Sequence, residues 1–174
     1  ELINSINSKN KIHPSLKTQL PKEINFEKFE KLQSILKQDP DIIVCGVSSP
    51  GIEWFVKQIS KNYKENISIV LLTKGLSILN NELMTLSDKI KNLLKHEGCS
   101  KINISAIKGP CLAAGLANKM RTGTVIANKN IKESQSLKKI ITTNYYSTEI
   151  SEDITGVELS GAIKNIYSML IGAS

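Results

Sequence analysis

Lys164 stands inside a stretch, Val157 to Ala173, whose other residues are mostly apolar. Val157, Leu159, Ile163, Ile166 and Leu170 would cover most of the circumference of a helix, and a helix that is apolar all round is a buried one. A lysine in that setting has two readings. It runs its head out to solvent or to an acid, as lysines with long apolar stems do. Or it sits desolvated in a pocket with its pKa lowered toward neutrality, which suits proton transfer. Ser160, Gly161, Lys164 and Ser168 are spaced i, i+1, i+4, i+8 and share one face. That face is small and polar with one long cation on it, so a ligand could approach the backbone and meet the amine.

Three other segments carry unusual residues: Ser48-Ser49-Pro50, Thr73-Lys74-Gly75 and Lys108-Gly109-Pro110-Cys111. Each follows an apolar run that reads as a strand. A lysine after a strand is usually a solvated loop residue, and Gly-Pro before a helix is usually only a turn. Three such segments on one edge of one sheet are harder to dismiss, because ligands of open α/β sheets bind beyond the carboxyl ends of the strands. Gly109 would let a ligand approach the backbone closely. The amides of a helix starting after Pro110 would face an anion, and Lys74 and Lys108 would add cationic charge. Cys45 reads as a core residue, Trp54 as core or as a cover over a pocket edge, and His96 as a surface residue.

The elements that must hold these residues follow from periodicity. Residues 1–25 read as loop with one short strand. Phe26 to Gln38 has helical spacing and stops before Asp39-Pro40. Short β-branched runs predict strands at 41–47, 69–72, 102–107 and 122–127, with a short one at 145–148. Helices are expected at 52–63, 81–94, 111–119 and 131–141. A long last helix is expected from Asp153 or Thr155, either of which could cap it. Alternating strands and helices imply an α/β fold, a Rossmann-like, mostly parallel sheet covered by helices on both faces. The alternation stops near 149–155. Residues 1–150 are therefore expected to be an incomplete dinucleotide-binding domain, and 151–174 the first long helix of an α-helical C-terminal domain.

Bulk properties narrow the classes. Of 174 residues, 40% are hydrophobic and 22% charged, which suits a globular domain. The net charge of +7 suits a phosphorylated ligand or nucleic acid. Among the 23 Lys and Arg only Arg121 is arginine, and aromatics are 5%, so nucleic acid is not expected. Cys45, Cys99 and Cys111 show no metal-ligand spacing and fit free thiols in a reducing cytoplasm. The apolar stretch at the end is broken by Glu158, Lys164 and Asn165, so it is not expected to span a membrane.

The run Gly156-Val157-Glu158-Leu159-Ser160-Gly161-Ala162-Ile163-Lys164-Asn165 closely resembles the lysine-bearing helix of NAD(P)-dependent glycerol-3-phosphate dehydrogenases. Thr73-Lys74-Gly75 is similar to that family's lysine loop, and Lys108-Gly109-Pro110-Cys111-Leu112-Ala113 to its Gly-Pro segment, in the same order. The resemblance implies the interconversion of dihydroxyacetone phosphate and sn-glycerol 3-phosphate with NAD or NADP, feeding glycerophospholipid synthesis. It implies that Lys164 is the general acid/base, that Asn165 steadies the catalytic region, and that Lys74 contacts substrate and cofactor together. Gly109 and Cys111 fall where the family contacts substrate, and Ser48 and Ala113 where it contacts cofactor.

This sequence has Lys108 where the family usually has Ser, Cys111 where it commonly has Ser or Thr, and Ser48 in its Val-Pro-Ser. No GxGxxG occurs. That pyrophosphate-cradling element is expected before residue 1, and the acid and arginine that complete the substrate site after Ser174, so the 174 residues alone are expected to be inactive. The oligomeric state is not set by the sequence; a homodimer is compatible with it. Two other readings remain open. One is a related dehydrogenase of another hydroxy acid. The other is a non-catalytic homologue or fragment that binds a partner or nucleotide.

Overall fold

The computed structural model describes Ile3, Ile6, residues 11–79 and residues 81–173. In chain order the elements are α1, Leu32–Leu36; β1, Ile42–Cys45; α2, Ile52–Ile59; β2, Ser68–Leu71; β3, Leu76–Leu79; β4, Glu82–Thr85; α3, Leu86–His96; β5, Asn103–Lys108; α4, Ala113–Ala117; β6, Thr122–Ala127; α5, Ile131–Ile141; β7, Tyr146–Ser151; and α6, Ile154–Gly172. Of the loop expected over 1–25, the part from Lys11 is described and holds one antiparallel bridge, Ile12 to Gln19. The rest of it, Ile3 and Ile6 apart, lies outside the described residues.

Five strands form one sheet in the order β1-β2-β5-β6-β7. Val44 lies opposite Val70, and Val70 opposite Ser105, in parallel pairs. β7 is parallel to β6. The sheet is thus mostly parallel, with one reversal: β6 runs antiparallel to β5, with Ile107 opposite Ile126. A parallel return needs a crossover element long enough to recross the sheet. The connection here holds only the five-residue α4, so the chain turns back beside β5.

Side chains alternate across the sheet with the period of two that strands impose. Ile69, Leu71, Ile104 and Ala106 pack on one face with Ile52, Phe55, Val56 and Ile59 of α2, Leu86, Ile90 and Leu94 of α3, and Ile154 of α6. Val70, Ile107 and Ile126 pack on the other face with Leu137 of α5. At about 1.5–3 kcal/mol per fully buried aliphatic side chain, the first face supplies most of the apolar stabilisation. The second face leaves Val44, Leu72 and Ile140 exposed.

Several elements depart from expectation. The helix expected over 26–38 is a 3-10 turn, Phe29–Lys31, and the short α1, in which Leu36 alone is buried. So little apolar contact does not hold a longer helix. The helix expected from Asn81 begins only at Leu86, because β3 and β4 form an antiparallel hairpin. Asn81 turns that hairpin in the left-handed region, at φ 62°, which Asn tolerates better than most residues. Thr85 then caps α3: its Oγ1 accepts from Asp88 N at 3.2 Å. Lys89 of α3 pins the hairpin, donating to Ser77 Oγ at 3.0 Å and pairing with Glu53 of α2 at 2.6 Å. Thr85→Ala is expected to destabilise the chain by about 1 kcal/mol, read as a melting temperature lower by roughly 2–4 °C. An unchanged melting temperature would show that the cap contributes nothing.

Candidate functional site

The three segments singled out in the sequence meet at one edge of the sheet and are tied together by hydrogen bonds. Thr73 Oγ1 donates to Val47 O at 2.6 Å, joining the ends of β2 and β1. Ser49 Oγ donates to Lys74 O at 2.8 Å. Gly75, at φ 132°, lets this approach happen, since a Cβ there would lie 2.7 Å from Ser49 Oγ. Lys74 Nζ donates to Gly109 O at 3.3 Å, reaching the end of β5. Lys108 Nζ donates back to Thr73 O at 2.6 Å and Leu71 O at 3.2 Å.

α6 enters beside this edge. Asp153 caps it, with Oδ1 accepting from Gly156 N at 2.8 Å, so Asp153 and not Thr155 is the cap. Ile154 and Glu158 are its buried residues. Glu158 Oε1 accepts from Ser87 N at the start of α3 at 3.2 Å, a charge at a helix N-terminus where a negative group is favoured. Between α6 and the ends of β5 and β6 lies a cleft of about 640 Å³, lined among others by Lys108, Gly109, Ser160, Gly161, Lys164 and Ser168. The face read from the i, i+1, i+4, i+8 spacing is therefore the face that lines the cleft. Lys164 is half-buried there. Ser168 Oγ donates to the Lys164 carbonyl at 3.1 Å.

Not every candidate residue is part of the cleft wall. Ser48 and Asn165 are exposed and do not line it, nor do Cys111 and Ala113. Lys74 is exposed and reaches the rim through Gly109 O. The helix expected over 111–119 spans only 113–117, so it offers a much weaker dipole than anticipated for an anion. Gly109 does allow a close approach, but by protein: a Cβ there would lie 2.7 Å from Gly123 O and 2.8 Å from Thr124 Cα of β6. The last helix is not buried all round. From Ile166 onward its apolar side chains, Tyr167, Met169, Leu170 and Ile171 included, are exposed.

Lys108 is the residue the sequence placed least well. Read as a cation at the sheet edge, it is 4% exposed. Desolvation pushes its amine down to about 8, and the nearby Glu158 carboxylate only partly offsets this. The signal available was β5 itself: Ile104 to Lys108 are buried without a break, as in strands covered on both faces. Glu158, at 1% exposure, was legible only as part of a motif.

The pH consequence of Lys108 has a definite sign. Between pH 8 and the ordinary lysine value the unfolded chain holds a proton that the folded chain has released, so stability rises with pH. Burial holds the Cys45 thiol, and the Tyr63 and Tyr146 hydroxyls, above their ordinary values. These groups oppose the rise as they begin to ionise in the unfolded chain. From pH 8 to 9 Lys108 is expected to add about 1 kcal/mol. Urea unfolding at both pH values should show this rise, and Lys108→Met should remove the share of Lys108, leaving what the Lys91 amine, also held down by burial, contributes. An equal rise in the variant would locate its source elsewhere.

A second polar cleft lies at the opposite end of β2 and β5. Its groups satisfy one another: Asn103 Nδ2 donates to Glu133 Oε2 at 2.8 Å, and Asn128 Nδ2 to Ser105 Oγ at 2.8 Å. It reads as a structural network. Among the described residues no group of His, Cys, Asp and Glu could hold a metal ion, and no helix is long and apolar enough to cross a membrane.

The family model described as NAD-dependent glycerol-3-phosphate dehydrogenase N-terminus matches residues 1–134. An NADP(+)-dependent glycerol-3-phosphate dehydrogenase of Archaeoglobus fulgidus is 31% identical over 142 residues, 82% of this chain and 41% of that protein. A glycerol-3-phosphate dehydrogenase [NAD(P)+] of Mesoplasma florum is 33% identical over 133 residues, 76% of this chain and 39% of that protein. The chain thus spans about two fifths of the length of these curated relatives. Among solved structures, glycerol-3-phosphate dehydrogenase of Plasmodium falciparum superposes with a TM-score of 0.80 at 19% identity, over 97% of this chain and 45% of that one. The Coxiella burnetii enzyme gives 0.78 at 19% identity, over 97% and 49%. These likenesses establish the Rossmann-like fold.

Proposed function

The chain belongs to the NAD-dependent glycerol-3-phosphate dehydrogenase N-terminus family, and from that premise we propose that it forms the strand-end wall and the lysine-bearing helix of a glycerol-3-phosphate dehydrogenase. The observation that carries this reading is one cleft shared by Lys164 of α6 and the Lys108-Gly109-Pro110 end of β5. Its substrates are dihydroxyacetone phosphate and sn-glycerol 3-phosphate, and residues 151–174 begin the substrate domain.

Lys164 holds the proton. As an ammonium it polarises the ketone oxygen and delivers a proton to it; as an amine it removes the hydroxyl proton in the reverse direction. A half-buried position keeps the amine within reach of a ligand while limiting its hydration. Lys74, tied to Gly109 O, places a second cation at the rim. Lys108 and Lys164 line the cleft with Lys74 at its rim, against a single lining carboxylate, Asp153, so the cleft favours a dianionic phosphate. Gly109, beside Lys74, is the substrate-facing backbone. Asn165, Ser48, Cys111 and Ala113 stand outside the cleft wall and would serve the site only from its periphery.

NAD or NADP is the cofactor of this reading. Ser48 and Lys74 are exposed at the carboxyl edge of the sheet, where dinucleotides lie in open α/β folds, so they fit one end of such a cofactor. The 174 residues contain no GxGxxG to cradle its pyrophosphate. When bound, the nicotinamide supplies or accepts the hydride. A cytoplasmic location and a homodimeric assembly go with this reading; the free cysteines, Cys45, Cys99 and Cys111, support the first.

The test is loss of NADH or NADPH absorbance in the presence of dihydroxyacetone phosphate, using the protein that carries this chain. Turnover is the expected result. Turnover with a keto acid in place of dihydroxyacetone phosphate would select a related hydroxy-acid dehydrogenase, and turnover with neither would leave a non-catalytic homologue.

A further inference from the structure

We propose that Lys108 and Glu158 form a buried charge couple that positions the Lys74 loop against the Lys164 helix. This rests on the functional reading above for its purpose, but its geometry stands independently.

Lys108 joins β5 to the end of β2 and to α6. Its ammonium holds two carbonyls at the end of β2, those of Leu71 and Thr73. Thr73 adjoins Lys74, so the carbonyl that Lys108 holds sets where the Lys74 loop leaves the sheet. The Lys108 stem runs under α6 at Gly161: a Cβ on Gly161 would meet Lys108 Cγ, Cδ and Cβ at 3.1–3.3 Å. Gly161 is therefore small because a lysine stem lies against it, three residues before Lys164. The backbone of the next residue, Gly109, accepts from Lys74 Nζ. One side chain thus fixes β2, β5 and α6 with respect to one another.

Glu158 supplies the opposite charge. It is 1% exposed, and among the described residues only one of its carboxylate oxygens has a partner, Ser87 N, while Oε2 is buried without one. A buried carboxylate with a free oxygen is costly unless a cation lies near. Lys108 and the half-buried Lys91 both feel it; of the two, Lys108 is the buried one and the one whose stem lies against α6, at Gly161, about one turn beyond Glu158. Glu158 in turn ties α6 to the start of α3, so the couple holds α6 from two sides. Lys108 is a positioning residue: it acts through Thr73 and Gly161 on the two amines that would meet a ligand.

A double-mutant cycle on this chain tests the proposal without any need for turnover. Amide hydrogen exchange is followed by NMR at three hydrogen-bonded amides, that of Leu72, which bonds Cys45 O where the Lys74 loop leaves the sheet, and those of Gly161 and Lys164 in α6, with Ile69 and Ile104 as core references. Lys108→Met and Glu158→Gln are each expected to speed exchange at these three loop and helix amides at least tenfold over the change at the references. The double variant Lys108→Met/Glu158→Gln is expected to be at least tenfold less affected than the product of the single effects, because neither charge is then left alone. A purely structural role in core packing would speed references and the three amides together. Multiplicative effects in the double variant, or exchange at the three amides that follows the references, would overturn the proposal. If Lys108→Met does not fold, Lys108→Gln, which keeps a donor for Thr73 O and loses the charge, takes its place in the cycle with the same criteria. Absence of dehydrogenase turnover would sink the functional reading and leave this result untouched.

Discussion

If Lys164 is the proposed acid/base, its replacement by alanine in the protein that carries this chain is expected to lower the rate of dihydroxyacetone phosphate reduction by about 10³-fold, within the roughly 10²–10⁴ that a positioned acid or base contributes. The loss should fall on kcat more than on KM, because proton delivery is made only in the transition state. Lys164 is half-buried and its amine has no hydrogen bond or ion pair among the described residues, so the variant should keep the melting temperature of the parent within about 2 °C. Lys164→Arg should not restore turnover, since guanidinium does not give up a proton near neutral pH. Steady-state kinetics of the two variants beside calorimetry decide the matter. Full turnover in either variant would remove Lys164 from the chemistry.

Gly109→Ala is expected to cost about 2–3 kcal/mol, the upper part of the roughly 1–3 kcal/mol typical of forcing atoms into a filled site, which is roughly 4–12 °C in melting temperature. The added methyl carbon would lie 2.7 Å from Gly123 O and 2.8 Å from Thr124 Cα. Both are backbone atoms of β6 and cannot swing aside. Either β6 is displaced from β5, where Lys108 faces Val125 in the ladder, or residue 109 shifts and takes the acceptor of Lys74 Nζ with it. Thermal unfolding of the variant measures the first effect, and the NMR shift of the Lys74 amine resonance the second. A melting temperature equal to that of the parent would mean that the two strands are less tightly apposed than they stand here.

The contrast between what periodicity predicted and what the chain forms has physical causes at particular residues. β1, β2, β5, β6, α5 and the start of α6 were legible because their apolar runs face one side or the other of a single sheet and their caps are local. Asp153, for example, needs only Gly156 to cap α6. The hairpin of β3 and β4 was not legible in a reading that carried helical spacing back to Asn81. Two local signals mark it: the Asn80-Asn81 pair between apolar runs, and Thr85 followed by Asp88 at capping distance. The reversal at β6 depends on how little helix the connection contains, which the expected helix over 111–119 concealed. At the site, the shared face of Ser160, Gly161, Lys164 and Ser168 follows from helix geometry alone. The roles of Gly109 and Gly161 do not. Both were read as openings for a ligand, yet one admits a neighbouring strand and the other a lysine stem. What fills the space beside a glycine is a tertiary fact, and so is the burial of Lys108.

The way α6 is anchored makes it a lever. Its last fully buried residue, Glu158, is six residues before Lys164, about 9 Å along a helix that rises 1.5 Å per residue. A tilt of about 5° at Glu158 would carry the Lys164 backbone by roughly 0.8 Å, and an error near 1 Å in a reacting group can cost about 10²-fold in rate. The long arm beyond Lys164, with Ile166, Tyr167, Met169, Leu170 and Ile171 exposed along it, lies on the far side of the amine from that fulcrum. Any contact that bears on this arm is therefore transmitted to the amine, and under the proposed role of Lys164 the rate becomes a sensitive gauge of what the end of α6 touches.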